Sequence, residues 1–189
     1  METLNLSEVT PRTESRIKSL FWPSIQSGAD VDYLGTQGFW VCAGVATLSL
    51  VYLAATGHPI AAVATFAFYY VGGMGVRERN RYAALFVFLG YAAEALLSLG
   101  VVRVLIGALL LSNLRGTWIA SKWKPDSEEA AGFPPRFNDT LGDRMADQWP
   151  MKLWPKLRLL YYICGPLFAL TEWAGAIAVR MGLIGGNSP

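Results

Sequence analysis

The sequence predicts an all-α, polytopic integral membrane protein. It has two tight transmembrane helical hairpins (four spans), a fifth C-terminal membrane helix and short interfacial helices. Of its 189 residues, 53% are hydrophobic and 16% are charged. Its mean hydropathy of +0.32 is high for a water-soluble domain of this length. Apolar runs near the roughly 20 residues that cross a bilayer recur along the chain, and basic residues are concentrated between them.

Four apolar segments form the predicted transmembrane bundle, which occupies residues 34–121. The segments are residues 34–55, 59–76, 82–99 and 101–119. Gly57 and His58 supply a turn before Pro59, and proline is favoured in the first turn of a helix, so the first two segments are expected to form a hairpin. Gly100 separates the other two with almost no polar linker, which predicts a second sharp hairpin.

A fifth apolar segment, residues 159–183, makes up most of the C-terminal region 159–189. This segment contains Pro166, Glu172 and Arg180. Such residues are compatible with a kinked span, a re-entrant segment or an interfacial helix. We favour a span, because the segment is long enough to cross the hydrocarbon layer.

The N-terminal region, residues 1–33, is predicted to lie at the cytoplasmic surface. Its residues Ile17, Leu20 and Phe21 recur at helical spacing beside basic residues. This pattern is typical of an interfacial helix, here ending near Pro23. The helix is expected to anchor the N-terminus, and docking of a partner is the alternative.

Residues 122–158 are predicted to form a cytoplasmic loop with a short amphipathic segment. Asp139, Asp143 and Asp147 recur every four residues, so a helix that begins near Asn138 would carry all three carboxylates on one face. We expect this face to be solvated. Binding of a divalent cation is the alternative, but the segment lacks the further ligands that usually complete such a site.

Tryptophan residues are the predicted anchors at the membrane surface, because their amphipathic rings favour the headgroup region. Three of them precede proline, as Trp22-Pro23, Trp149-Pro150 and Trp154-Pro155. Each proline is expected to end a helix, and a surface that docks a peptide is the alternative. The predicted interface anchors are Trp22, Trp118, Trp123, Trp149 and Trp154.

The distribution of basic residues predicts a cytoplasmic N-terminus. Lysine and arginine are retained on the cytoplasmic side of a membrane. They occur before the first span (Arg12, Arg16, Lys18), between the second and third (Arg77, Arg79, Arg81), and after the fourth (Lys122, Lys124). The predicted outer turns hold only His58 and Arg103. The N-terminal residues are polar and lack the pattern of a cleavable signal, so we expect a bacterial inner-membrane protein with both hairpin tips outside.

Polar side chains inside the predicted spans are the candidate functional residues, because charge is costly in the hydrocarbon layer. They are Glu94, Arg103, Asn113, Arg115, Glu172 and Arg180. Glu94 is expected to pair with Arg103 across the turn at Gly100 as a structural lock. The alternative is a proton or cation site at Glu94.

The other polar candidates have two interpretations each. Asn113 and Arg115 form a pocket for a lipid phosphate, or Arg115 extends to the interface. Glu172 and Arg180 contact other helices or a second subunit if their segment spans the membrane, and face water if it is interfacial. Small residues, including Gly72, are expected to let helices approach closely.

No catalytic constellation is recognisable in the sequence. It has a single histidine and two cysteines in separate apolar segments, and it lacks phosphate-binding and nucleophile motifs. We therefore predict no enzyme activity, cofactor, metal or nucleic-acid partner. The expected function is that of a structural or accessory subunit of a larger membrane complex, in contact with the lipid bilayer and with other subunits or copies of itself. The alternative is a small, self-assembling transporter or channel that uses Glu94.

Overall fold

The computed structural model describes residues 21–25, 28–97, 100–122, 136 and 139–183. All regular secondary structure in these residues is helical. The elements are α1 (Gly28–Ala55), α2 (Pro59–Arg77), α3 (Arg81–Leu97), α4 (Val101–Ala120), α5 (Leu141–Asp143), a π-helical turn (Arg144–Gln148) and α6 (Trp149–Arg180). The predicted interfacial helix lies mostly outside the described residues. The chain is not helical from Trp22 to Ile25.

Helices α1 and α2 form the predicted first hairpin and pack along each other. The turn contains Gly57, whose φ of 85° lies in the left-handed region that favours glycine. The amide of His58 donates to the carbonyl of Leu53, which closes the end of α1. Pro59 occupies the first turn of α2, where its missing N–H costs no hydrogen bond. Helix α1 begins at Gly28, before the predicted start at residue 34.

Helices α3 and α4 also pack against each other, as predicted for the second hairpin. Gly100 is the residue before α4 and has an extended backbone. Helix α3 has 17 residues and is the shortest of the five long helices described. Residues 98 and 99, which belong to the predicted third span, lie outside the described residues.

The C-terminal segment differs most from its prediction. Elements α5, the π-helical turn and α6 follow one another without a break, so that one helical segment of 40 residues runs over Leu141–Arg180. The prediction that Pro150 and Pro155 end helices is therefore wrong. Pro150 lies in the first turn of α6, where proline is tolerated. Pro155 and Pro166 lie inside α6, and packing of the helix against α2 and α3 offsets the hydrogen bonds that these prolines cannot donate.

Four helical segments of the described chain are long and apolar enough to cross a membrane. They are α1, α2, α4 and the segment Leu141–Arg180. The fifth predicted span thus meets this criterion as a continuous helix, in a longer form than expected. Helix α3, although apolar, is shorter than the roughly 20 residues of a typical span.

Helix α2 is the centre of the bundle, in contact with α1, α3 and α6. All residues from Gly72 to Arg77 are buried. A Cβ atom built at Gly72 would collide with Tyr161 and Val87, and one built at Gly75 would collide with Ala83 and Trp154. The glycines therefore let α3 and α6 pack directly on the α2 backbone, which confirms the predicted close approach of helices.

Candidate functional site

A buried arginine joins three elements at one end of the bundle. Arg77, the last residue of α2, is 2% exposed. Its Nη1 and Nη2 atoms donate to the two carboxylate oxygens of Asp32 on α1, at 2.5 and 3.2 Å. Its Nε atom donates to Asp147 in the π-helical turn at 2.8 Å, and Nη2 contacts the same oxygen. We call Arg77, Asp32 and Asp147 the Arg77 cluster.

The geometry of the Arg77 cluster makes it a structural lock. Arginine presents its donors in a planar fork, so two carboxylates bind it through several charge-assisted hydrogen bonds at once. Both aspartates are mostly shielded from solvent, with 14% and 13% of their side chains exposed. Loss of the arginine would leave two poorly solvated negative charges close together, so the cluster fixes α1 and α2 to the segment that leads into α6.

The predicted row of three solvated aspartates is wrong. Asp147 belongs to the Arg77 cluster, whereas Asp143 forms a capping box with Thr140 at the start of α5. The Thr140 hydroxyl and amide donate to the Asp143 carboxylate at 2.8 and 3.0 Å. These hydrogen bonds favour the ionised form and lower the pKa of Asp143. Asp139 is exposed, so the three side chains have three different environments.

A second group of polar side chains lies toward the opposite end of the bundle. The hydroxyl of Tyr69 on α2 donates to the Glu94 carboxylate on α3 at 2.7 Å. Arg103 on α4 donates through Nη1 to the main-chain carbonyl of Glu94 at 2.8 Å. We call Tyr69, Glu94 and Arg103 the Glu94 cluster. Glu172 lies on α6, which packs against α3.

The expected contact between Glu94 and Arg103 is therefore present in a different form. The ion pairs recorded among the described residues join Arg77 to Asp32 and Asp147, and Arg136 to Glu78. Arg103 instead satisfies a main-chain carbonyl near the end of α3, and the Glu94 carboxylate turns toward Tyr69. Hydrogen bonds to the carboxylate and to the carbonyl join α2, α3 and α4, so Glu94 does connect helices.

The last helix is held to α3 by side chains that reach its backbone. The Trp173 indole donates to the carbonyl of Leu89 at 3.0 Å. Arg180 donates through Nε and Nη2 to the carbonyl of Leu96. Arg180 thus contacts another helix of the same chain, one of the interactions expected for it. In the described part of the chain, no hydrogen bond is recorded for the Glu172 carboxylate.

Asn113 and Arg115 do not form a common pocket. Asn113 is buried against Gly38 of α1. Its amide donates to the carbonyl of Leu109, one turn earlier in α4. Arg115 donates to the carbonyl of Pro23 at 2.9 Å, and its guanidinium lies 4.7 Å from the centre of the Trp22 ring. Arg115 therefore ties α4 to the segment before α1.

The predicted tryptophan anchors fall into three groups. Trp22, Trp118 and Trp149 are exposed and remain available as interface anchors. Trp154 is 5% exposed and packs on Gly75 and Tyr161, so its assignment as an anchor is corrected to a core residue. Trp123 lies outside the described residues. The buried position of Trp154 follows from Gly75, which leaves room for the indole ring.

Three residues of the two clusters were missed by the sequence analysis in these roles. The sequence analysis assigns Arg77 only to a basic loop, does not single out Asp32, and gives Tyr69 no role as a hydrogen-bond donor. A useful signal was the position of Asp32 and Arg77 next to apolar runs at the same predicted end of the first hairpin. Tyr69 gave no such signal, because an aromatic residue in an apolar helix is ordinarily a packing residue.

The fold and the two clusters define the class of protein. It is an all-helical bundle of apolar helices, joined toward each end by polar contacts between elements. Comparison of the chain with protein-family models, with curated proteins and with solved structures finds no match. The functional argument therefore depends on the geometry of this chain.

Replacement of Arg77 by glutamine is expected to destabilise the protein by about 3–5 kcal/mol, because it leaves Asp32 and Asp147 without their cation. The measurement is thermal unfolding in mild detergent. Unfolding is monitored through the reaction of the buried Cys42 thiol with a fluorogenic maleimide, in a Cys164→Ser background. Cys164 is exposed and would otherwise react in the folded state. The control Lys152→Gln removes an exposed basic residue for which the described part of the chain records no hydrogen bond or ion pair, and its effect should stay within about 0.5 kcal/mol. Equal unfolding temperatures for Arg77→Gln and the parent would contradict the lock.

Proposed function

We propose that this chain is a small integral membrane protein that serves as a structural or accessory subunit of a larger membrane complex. Its place is the bacterial inner membrane, with the N-terminus and the Arg77 cluster at the cytoplasmic side. Four apolar helical segments of sufficient length support insertion. The basic residues that precede α1, separate α2 from α3 and follow α4 support this orientation.

The orientation is tested by labelling single cysteines in a Cys42→Ser, Cys164→Ser background. His58→Cys in the first hairpin turn is expected to react with a membrane-impermeant maleimide in cells whose inner membrane is intact. Lys122→Cys after α4 is expected to react only after that membrane is permeabilised. Both parent residues are exposed, so protein packing does not limit their reaction. The reverse pattern would contradict the proposed orientation.

One face of α1 is the observation that carries the accessory role. Trp40, Ala43, Gly44, Thr47 and Leu48 follow one another at helical spacing on this face. They line a groove of about 740 Å³, which is completed by Phe66 and Tyr70 of α2 and by Met145 and Trp149. We call this the α1 groove.

Small side chains make the α1 groove suited to a partner helix. A Cβ atom built at Gly44 would have no neighbour within 4 Å, so its backbone is open from outside the bundle. Transmembrane helices associate where small residues let their backbones approach, because lipid tails offer no hydrophobic driving force. The proposed occupant is an apolar transmembrane helix of a different subunit.

Gly44→Leu is expected to weaken association with the partner subunit. A leucine side chain would fill the α1 groove, and overpacking of about 1–3 kcal/mol corresponds to a roughly 5- to 150-fold loss of affinity. The measurement is the subunit composition and intact mass of particles purified from the native membrane in nanodiscs. Gly175→Leu is the matched control, because Gly175 is also a helical glycine with open space at its Cβ position.

The two outcomes separate the accessory role from its alternative. Stoichiometric recovery of different subunits with the parent and with Gly175→Leu, but not with Gly44→Leu, would support the proposal. Recovery of the parent alone or as a symmetric oligomer would contradict an accessory role. The second candidate function, a small self-assembling transporter or channel, would then be favoured.

The second candidate has support from the Glu94 cluster. Glu94 on α3 accepts a hydrogen bond from Tyr69, and a second carboxylate, Glu172, lies on α6, which packs against α3. Acidic groups inside a membrane are typical of proton and cation pathways. The arrangement therefore supplies a chemical site for the candidate.

If the second candidate is correct, Glu94→Gln is expected to abolish proton or cation flux into liposomes that contain the purified protein, while the bundle stays folded. Glutamine keeps an acceptor for the Tyr69 hydroxyl and removes the charge. Glu78→Gln is the control, since Glu78 pairs with Arg136 near the other end of the bundle. No flux from the parent, or flux unchanged by Glu94→Gln, would contradict this candidate.

A further inference from the structure

A second groove runs between α2 and α6, on a different part of the bundle from the α1 groove. It has a volume of about 300 Å³. Ala64, Ala67 and Val71 line it on α2, and Leu157, Leu160 and Phe168 are among the residues that line it on α6. Small alanines between larger apolar side chains leave a narrow, apolar channel on the outer surface. We call this the α2/α6 groove.

The dimensions of the α2/α6 groove match a single hydrocarbon chain. Leu157 and Phe168 mark its extent along α6, and at about 1.5 Å per residue the distance between them is roughly 16 Å. One leaflet of a bilayer has a hydrocarbon depth of about 15 Å, half of the full thickness. The volume of about 300 Å³ is well below the roughly 1,300 Å³ that a helix about 10 Å across would occupy over the same length.

Among the described residues of α2 and α6, positive charge lies near only one end of the α2/α6 groove. Lys156 and Arg158 are the chain neighbours of Leu157, and both are exposed. No ion pair or hydrogen bond is recorded for either side chain in the part of the chain that the structure describes. After Arg158 the sequence has no lysine or arginine until Arg180. The basic pair therefore marks the groove end nearer the Arg77 cluster.

We infer that the α2/α6 groove binds one acyl chain of an anionic phospholipid, whose headgroup phosphate contacts Lys156 and Arg158. The inference rests on the membrane insertion proposed above and is independent of the accessory role. An apolar channel about as long as one leaflet is deep accepts the acyl chain. Lys156 and Arg158 project about 100° to either side of Leu157, so they flank the headgroup and select a negative charge. The lipid belongs to the leaflet on the side of the Arg77 cluster.

Lipid retention in detergent tests the inference. The purified chain is placed in nanodiscs of equimolar dioleoyl-phosphatidylglycerol and dioleoyl-phosphatidylcholine, released into mild detergent and weighed intact by native mass spectrometry. The parent is expected to retain about one phosphatidylglycerol molecule per chain. The variant Lys156→Gln with Arg158→Gln should lose this preference, by about fivefold for each basic residue removed, since a basic residue near an anionic headgroup contributes about 1 kcal/mol.

Two matched controls separate the groove from general effects of charge and bulk. Lys152→Gln removes an exposed lysine five residues from Leu157, roughly 140° around the helix axis, and should leave the preference unchanged. Ala67→Leu fills the groove and should reduce retention of both lipids. Ala61→Leu adds the same bulk at an exposed position of α2 outside the groove and should not.

Each contrary result bears on a different statement. Equal retention of the two lipids by the parent, or equal losses in Lys152→Gln and in the double variant, would overturn the lipid site while leaving membrane insertion intact. Release of the parent from native membranes by alkaline carbonate would overturn the proposed insertion and this inference together. A phosphatidylglycerol preference that is lost in the double variant but kept in Lys152→Gln is the result expected.

Discussion

The buried guanidinium of Arg77 is the constraint on which the arrangement of the bundle depends. It lies at the end of the central helix and binds carboxylates from α1 and from the segment before α6. A cation in this position is tolerated only while both acceptors stay in place, so the positions of the three elements are coupled. The start of the segment Leu141–Arg180 is therefore held at a defined position beside α2.

Helix α2 combines this charged end with a glycine-rich backbone that side chains of other helices approach closely. Gly72 and Gly75 let Tyr161 and Trp154 of α6 pack directly on it, and Gly73 accepts Cys42 of α1. Close packing on a central helix explains why the long last helix remains continuous through Pro155 and Pro166. Toward the other end, Tyr69 reaches from the same helix to Glu94, so α2 takes part in both clusters.

The position of α2 also explains why the α1 groove and the α2/α6 groove are separate. One side of α2 completes the α1 groove, and another side forms a wall of the α2/α6 groove. The first is wide and has open glycine backbone, which suits a helix. The second is narrow and has two basic residues at one end, which suits a lipid. The two proposed occupants, a partner helix and an anionic lipid, would therefore lie on different surfaces of one small bundle.

Features that depend on neighbouring residues could be predicted from the sequence. Apolar runs of sufficient length predicted helices able to cross a membrane, and Gly57 with Pro59 predicted the first hairpin, because turn and cap preferences act over a few residues. Which polar groups meet depends instead on the packing of distant parts of the chain. Asp32 and Asp147 lie 45 and 70 residues from Arg77, and no local pattern links positions so far apart. Likewise, Trp154-Pro155 reads locally as a helix end at a membrane surface, but packing against Gly75 buries the indole and keeps the helix intact.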